Sequence, residues 1–478
     1  MITATNPFRE IPPNQTDSGS RKWLYPRLDM GRYFRARAGL AVVLLVGLFA
    51  GPWVRIAGEP LFLFNVLERR FVFFGVPFWP QDFYLVAIGM LVFIIFIAGF
   101  TVVYGRVWCG WACPQTIFME MVFRPIENWI EGDHNAKKRL DAAPWTGNKI
   151  WRKTLKHTLF VLVSFAIANT FLAYIIGTDA LLSIVTDSPA EHLAGLGAMV
   201  VFTGVFYAVF AYLREIVCLV ICPYGRLQSA LLDKQSIIVA YDDSRGEPRG
   251  KKARDEKMIL KNEAHRSSRS SVIEQPAHGD CIDCHICVQV CPTGIDIRNG
   301  LQMECINCTQ CMDACDTVMD KIERPRGLIR YDSLEGIETG KSWHMTTRMW
   351  AYTAVLALLV VVWIVLLTTR ADLSITLLRA PGQLFQRAAD GQITNLYTLE
   401  VLNKTSHPIT VSLRPTYADA TIRYVQPLTP LAGGASATAT FFIAMPPNKH
   451  LGSSLTIPID LVEDGNVVDR LETRFFNE

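Results

Sequence analysis

Eight of the twelve cysteines of this chain fall between residues 281 and 315, and their spacing restricts what that segment can become. Cys281, Cys284, Cys287 and Cys291-Pro292 form a C-x2-C-x2-C-x3-C-P run, and Cys305, Cys308, Cys311 and Cys315 repeat the spacing. Such runs wrap thiolates around cubane iron–sulfur clusters: three closely spaced cysteines hold three irons of one cluster, and the fourth swings away to complete the other. The spacing assigns Cys281, Cys284, Cys287 and Cys315 to one 4Fe–4S cluster, and Cys305, Cys308, Cys311 and Cys291 to its neighbour. Zinc in C-x2-C pairs would leave the third and fourth cysteine of each run unexplained. A disulfide framework does not suit a segment that the charge pattern places in the cytoplasm.

Half of the 478 residues are hydrophobic and the mean hydropathy is positive, too apolar for an ordinary soluble protein. Five segments reach the roughly 20 apolar residues that a helix needs to cross a hydrocarbon core of about 30 Å. They lie near Arg37–Trp53, Phe83–Val103, His157–Ile176, Leu193–Leu213 and Met349–Leu367. No cleavable signal peptide is expected, because the residues before the first of them are polar, with Pro and Arg. The net charge of +3 conceals a strong segregation. Arg21, Lys22, Arg27, Arg32, Arg35 and Arg37 precede or open the first helix, and nine Lys and Arg between Arg106 and Lys156 fill the second connection. The positive-inside rule keeps both in the cytoplasm. The 178–192 connection carries Asp179, Asp187 and Glu191 and no Lys or Arg, so five crossings put the C-terminus outside. Pro60–Pro80 is aromatic but broken by Glu68, Arg69, Arg70 and Gly75. As a spanning helix it would bury three charges, so it reads as an interfacial segment on the outer face.

The second helix ends in Cys109-Gly-Trp-Ala-Cys113-Pro114 and the fourth in Cys218-Leu-Val-Ile-Cys222-Pro223. Thiols four residues apart lie on one helical face, close enough to share a metal, and the proline marks where that helix stops or kinks. Buried cysteine with no chemical role is the alternative. Soft thiolates of this kind select Cu(I), zinc or iron–sulfur centres. Met119 and Met121 could add thioether ligands, with ordinary packing as the alternative. His157, at the cytoplasmic mouth of the third helix, is a further candidate ligand or proton carrier, or simply a polar cap.

Residues 241–280 are polar, with Arg245-Gly-Glu-Pro-Arg-Gly-Lys-Lys252 and Ser267-Ser-Arg-Ser-Ser271, and read as a solvated tether in reach of anionic lipid. A cluster module as short as 281–330 has little core of its own, so bound clusters should hold it folded. Residues 371–478 contain no cysteine and alternate in short Thr, Val, Ile and Leu runs: Ile393–Asn403, Ile409–Leu413, Thr421–Val425, Thr438–Ala444, Leu455–Leu461 and Val467–Phe475. With turn signals such as Gly433-Gly434 between them, they suggest an immunoglobulin-like sandwich. The expected fold class is thus an α-helical membrane protein of five transmembrane helices with a cytoplasmic dicluster ferredoxin-like insert and a C-terminal all-β immunoglobulin-like sandwich. Its order is an N-terminal segment (1–36), a four-helix membrane domain (37–240), a polar linker (241–280), the cluster module (281–330), a linker with the fifth helix (331–370) and an outer domain (371–478).

The stretch from Cys109 to Glu120, the stretch Arg226–Asp233 after Cys222-Pro-Tyr-Gly, and the cluster runs together resemble the CcoG (also FixG or RdxA) cytochrome oxidase accessory proteins. The resemblance covers nearly the whole chain. It implies a bacterial inner-membrane protein that reduces Cu(II) to Cu(I) for assembly of a cbb-type haem–copper oxidase. It also implies two 4Fe–4S clusters on the eight ferredoxin-type cysteines, and copper handling at Cys109, Cys113, Cys218 and Cys222. The partners are then membrane lipid, copper ions, the oxidase or its copper transporter and chaperones, and an electron donor that no dinucleotide or flavin motif identifies. No nucleic acid is expected, and a homodimer is left open. Two other readings stand beside it: an electron-transfer subunit serving a partner redox protein, and an assembly scaffold with redox-sensing clusters. Ferredoxin runs often carry Gly after the second cysteine, where this chain has His285 and Thr309. Asp316 follows Cys315 where Pro292 follows Cys291, so the two clusters should be inequivalent.

Overall fold

In lipid a backbone keeps its hydrogen bonds internal, and five long helices here do so: Arg32–Ala50, Phe83–Tyr104, Gly147–Ile176, Leu193–Ala208 continued by a π turn to Leu213, and Thr347–Thr368. All five are long and apolar enough to cross a membrane. The computed structural model describes residues 21–250, 279–340 and 345–476, except 57, 67–69, 80–81, 383, 389–390, 406, 427, 429, 447–453 and 464. Ser267–Ser271, most of the polar linker, Glu68 and Arg69 therefore lie outside the described residues. The first and third helices begin earlier than their apolar windows, at Arg32 and Gly147 rather than near Arg37 and His157. Lys and Arg are good helix formers, and those that extend the third helix have acidic partners waiting.

The chain divides into two compact units. One comprises residues up to 50, 90–172 and 182–361. Beneath its long helices, a buried ionic network ties the 124–142 segment down. Glu127, 4% exposed, accepts from Arg214 through both carboxylate oxygens (3.1 and 2.9 Å) and from Lys137 (3.1 Å). Lys156 reaches both Glu127 (3.6 Å) and Glu131 (2.8 Å), and Lys153 joins Glu131 (2.9 Å) to Asp141 (2.6 Å). The same unit holds the cysteine-rich module, in which Ile238–Tyr241 pairs antiparallel with Ile329–Asp332. All four residues of the first strand are buried. That ribbon, with Asp242 accepting from Arg330 (2.6 Å) and Gly250 N donating to Cys281 O (3.1 Å), draws 238–250 into the module. The polar tether therefore does not begin at 241: apolar Ile238-Val239-Ala240-Tyr241 needs a partner strand and finds one.

The other unit comprises 51–89, 173–181 and 362–478. Its C-terminal part packs two antiparallel sheets face to face. One has the order Thr421–Gln426, Ser436–Met445, Ile393–Asn403, Leu373–Arg379, and the other Val411–Pro415, Ser454–Glu463, Asn466–Phe476. Inward residues from both sheets, among them Tyr397, Leu399, Val401, Phe441, Ile443, Ile457 and Ile459, form the core. The strand Leu373–Arg379 was not among the expected six, because it follows the fifth helix with no turn signal between them. Within Pro60–Pro80, Phe62–Asn65, Arg70–Phe73 and Val76–Phe78 make a three-stranded antiparallel meander. Alternating Phe side chains meet edge to face, Phe73 with Phe64 and Phe78, and Gly75, at φ +77°, supplies the left-handed turn before the last strand. Asp82, buried in this unit, is held by Lys404 (2.6 Å) and Arg370 (2.8 Å).

Phe441, fully buried against Tyr397, anchors the sandwich. Phe441→Ala should destabilise it by about 3–5 kcal/mol, read as a lower temperature for its calorimetric transition in the full chain. The Glu127 network carries a pH signature. Burial alone would raise the Glu127 pKa, but Arg214, Lys137 and Lys156 hold it well below the usual carboxylate range. A depressed pKa contributes stability that is present above the unfolded value of about 4.3 and lost as pH falls through the folded one. Glu127→Gln should therefore cost about 3–5 kcal/mol at pH 7, since it strands buried cations. The difference from wild type in thermal midpoint should narrow below about pH 4.

Candidate functional site

The two cysteine runs adopt one backbone conformation twice. Asp283 and His285 flank Cys284 at φ 53° and 56°, and Asn307 and Thr309 flank Cys308 at φ 53° and 64°. This left-handed region is where glycine is normally used, which gives the residue after the second cysteine its physical meaning. A β-branched Thr309 there is uncommon, and its hydroxyl is satisfied by the Cys308 carbonyl (2.7 Å). His285 and Thr309 each precede a helix, Ile286–Gln289 and Gln310–Lys321, so each loop turns sharply back on itself around its middle cysteine.

Folding gathers the eight thiols around two cavities. Cys281, Cys284, Cys287 and Cys315 line one, together with Tyr241, Ile286 and Met319. Cys291, Cys305, Cys308 and Cys311 line the other, with Val239, Ile295 and Ile297, and Cys287 touches its wall. Apart from Cys287, which lines both, each cavity takes three cysteines from one run and one from the other. Burial pushes the thiols of Cys287, Cys308 and Cys315 up to about 12 and that of Cys305 up to about 11. Four soft donors gathered around one cavity need a positive centre before they can all ionise, and a cubane iron–sulfur cluster fits that donor set. Among the described residues, the one trio of His, Cys, Asp or Glu ligand atoms lying within 4.8 Å of one another is the partly exposed Asp187, Glu191 and His192. The cysteine sulfurs are therefore spread more widely than a single-ion trigonal site requires.

The C-x3-C-P pairs do not sit on continuous helices. Cys109 lies in the short helix Val107–Trp111, and Cys113 is the extended residue (ψ 125°) ahead of Pro114–Ile117. Cys218 lies in a π turn, Val217–Ile221, and Cys222 (ψ 112°) precedes Pro223–Leu231. The cause is proline: it disfavours helical backbone in the residue before it, and its own fixed φ starts the next helix. Each pair straddles a break rather than sharing one helical face. The breaks bring the pairs together, since the Cys218 thiol feels the charges of Cys113, Cys109 and Cys222 as well as Glu120. Burial raises Cys218 to about 12 and Cys109 to about 11, the latter opposed by a hydrogen bond from Gln228 Nε2 to its Sγ (3.2 Å).

A small cavity lies between Cys218 and the cluster loops. Cys218, Met119, Glu120, Gln115 and Thr116 line one side, and Pro292, Thr293 and Ile306 of the cluster loops line the other. Gly110 is why the elements can approach so closely: a Cβ there would lie 2.5 Å from Ile306 O and 2.6 Å from Asn307 O. Met121 is not on this cavity's wall. His157 is elsewhere, sharing a 2.9 Å hydrogen bond with Tyr207 and lining an open groove with Trp145, Lys153 and Thr154. Sequence reasoning missed Gly110, Glu120 and Gln228. All three lie in or beside the quoted motif stretches, yet single residue identities carry no spatial signal.

Residues 213–334 match the family described as a 4Fe-4S dicluster domain, 86–133 a 4Fe-4S binding domain, and 363–478 an IG-like fold at the C-terminal of FixG. The nitrogen fixation protein FixG of Rhizobium meliloti is 36% identical over 326 residues, 66% of this chain and 58% of FixG. Protein RdxA of Cereibacter sphaeroides is 35% identical over 405 residues, 80% of this chain and 79% of RdxA. RdxB of the same organism is 36% identical over 419 residues, 82% of each chain. Identical to RdxA and RdxB at 35% and 36% over 80% and 82% of its length, and carrying a FixG-type C-terminal domain, the chain belongs to the FixG/RdxA family.

Proposed function

We propose that the chain is a membrane-bound iron–sulfur oxidoreductase that reduces Cu(II) to Cu(I), with the eight cysteines of 281–315 holding two 4Fe–4S clusters and Cys109, Cys113, Cys218 and Cys222 handling the copper. When bound, the clusters supply single electrons. Each Cu(II) takes one electron and becomes Cu(I), and an external donor restores the electron. The observation that carries the reading is the shared cavity: Cys218, Met119 and Glu120 face Pro292, Thr293 and Ile306, residues that adjoin cluster cysteines. Glu120, buried and paired with Arg124 (3.2 Å), offers a hard oxygen that suits the incoming Cu(II). The thiols and the Met119 thioether suit Cu(I), so reduction shifts the ion's preference from oxygen towards sulfur. The Lys and Arg asymmetry supports a cytoplasmic module and a periplasmic C-terminal domain. By the family resemblance, the product serves assembly of a cbb-type oxidase in the bacterial inner membrane, through a copper transporter or chaperone.

A second reading has its own support: 86–133 match a 4Fe-4S binding domain, and no three C-P thiols lie within 4.8 Å of one another among the described residues. On that reading the four cysteines hold a further iron–sulfur centre that serves a partner redox protein. Anaerobically purified Cys218→Ser/Cys222→Ser protein separates the two. The copper reading expects cupric reduction to fall by about tenfold or more while about eight irons per chain are retained. Iron beyond eight in wild type that is lost in the double variant supports the second reading. Full cupric activity in the variant excludes these residues from the chemistry.

A further inference from the structure

The two cluster cavities differ most in how the nearest buried guanidinium is compensated. Beside Cys287, Arg298 is surrounded by acceptors: Asp296 (2.7 and 2.9 Å), Asp283 (2.5 Å) and the His285 ring (2.8 Å). Its charge is matched, and Asp316 adds a negative charge beside Cys315. The other cavity has two buried arginines with no ion pair among the described residues. Arg37, 2% exposed, donates from Nη1 to Cys308 O (2.6 Å) and from Nε to Gly110 O (3.0 Å). Arg106, 5% exposed, donates from Nη1 to Met303 O and Cys305 O (3.3 Å) and from Nη2 to Gly225 O (2.9 Å). Each arginine therefore grips one cluster loop and one C-P turn: Gly110 lies between Cys109 and Cys113, and Gly225 follows Cys222-Pro223. Their charges act on the thiols themselves, Arg37 on Cys308 and Arg106 on both Cys305 and Cys109. The charge of Glu304 reaches both Arg106 and Cys305, and among the described residues it makes no ion pair with Arg106.

A positive charge in a poorly screened interior favours the added electron, and local charge and hydrogen bonds to the ligands set cluster potentials. We infer that Arg37 and Arg106 are positioning residues that order the two centres. They make the one held by Cys291, Cys305, Cys308 and Cys311 the higher in potential and the exit towards the C-P thiols, and leave the one held by Cys281, Cys284, Cys287 and Cys315, with its exposed Cys284, as the entrance. This rests on the iron–sulfur part of the proposed function and is independent of copper.

The test is a redox titration of the full chain followed by electron paramagnetic resonance, with iron counted in every sample and Cys284→Ser used to mark the entrance centre's signal. Arg37→Gln and Arg106→Gln should each lower the higher of the two potentials and leave the lower one in place, and Arg37→Lys should restore most of the shift. Glu304→Gln, at a half-buried position outside the tie, should raise the same potential, which keeps the inference testable should a glutamine variant not fold. Unchanged higher potentials in Glu304→Gln and in the folded arginine variants overturn it, as does a shift confined to the signal that Cys284→Ser alters. Wild type carrying far fewer than about eight irons removes the iron–sulfur reading itself, and this inference with it.

Discussion

A guanidinium buried among helices must find acceptors for its donors, and backbone carbonyls have the advantage that their positions are set by the chain rather than by rotamers. Arg37 and Arg106 use such carbonyls on both sides of the contact between the C-P turns and the loop Met303–Cys308. The contact is correspondingly close, with no side chain at Gly110 to separate it from Ile306 and Asn307. Two further bonds keep the module in place. Asp313 accepts from Tyr33 N (3.1 Å) and Phe34 N (2.8 Å), placing an acid at the start of the first long helix. Trp111 Nε1 donates to Tyr331 OH (3.0 Å), which in turn donates to Asn307 O (3.2 Å). The relation between the two thiol groups follows from these contacts, and the proposed chemistry depends on that relation.

The site is built from two duplications that are alike in backbone and unlike in surroundings. Both cysteine runs turn through left-handed residues beside their second cysteine, and both C-P turns break a helix at the proline. Yet one cavity lies among carboxylates and the other beside arginines that have no ion pair among the described residues, and only one of the two C-P turns places its cysteine on the cavity with Met119 and Glu120. Repetition supplies ligands, whereas the differences supply direction.

Where a residue's role follows from local spacing, it could be read from the chain alone. The C-x2-C-x2-C-x3-C pattern marks eight ligand candidates because a cubane imposes that spacing, and the apolar windows mark five helices because the bilayer imposes their length. Alternation located the strands from Ile393 onward, where one face is buried. Elements that depend on distant partners were not legible. The ribbon of Ile238–Tyr241 needs Ile329–Asp332, far along the chain; the 62–78 meander is held by Phe pairs rather than turn signals; and the role of Glu127 appears only when Arg214, Lys137 and Lys156 converge on it. Gln228 and Arg106 belong to the same class, since what each touches depends on chain breaks that proline introduces elsewhere.

Whether electrons leave the cysteine module at the C-P thiols and reduce copper held there is read by X-ray absorption at the copper edge. Protein reduced anaerobically and freed of reductant is mixed with one equivalent of Cu(II), and the electrons left on the module are counted by spin quantification. The expected result is Cu(I) with sulfur neighbours and one electron lost from the module per copper reduced. Copper that stays Cu(II) beside a fully reduced module, or Cu(I) ligated only by nitrogen and oxygen, contradicts it.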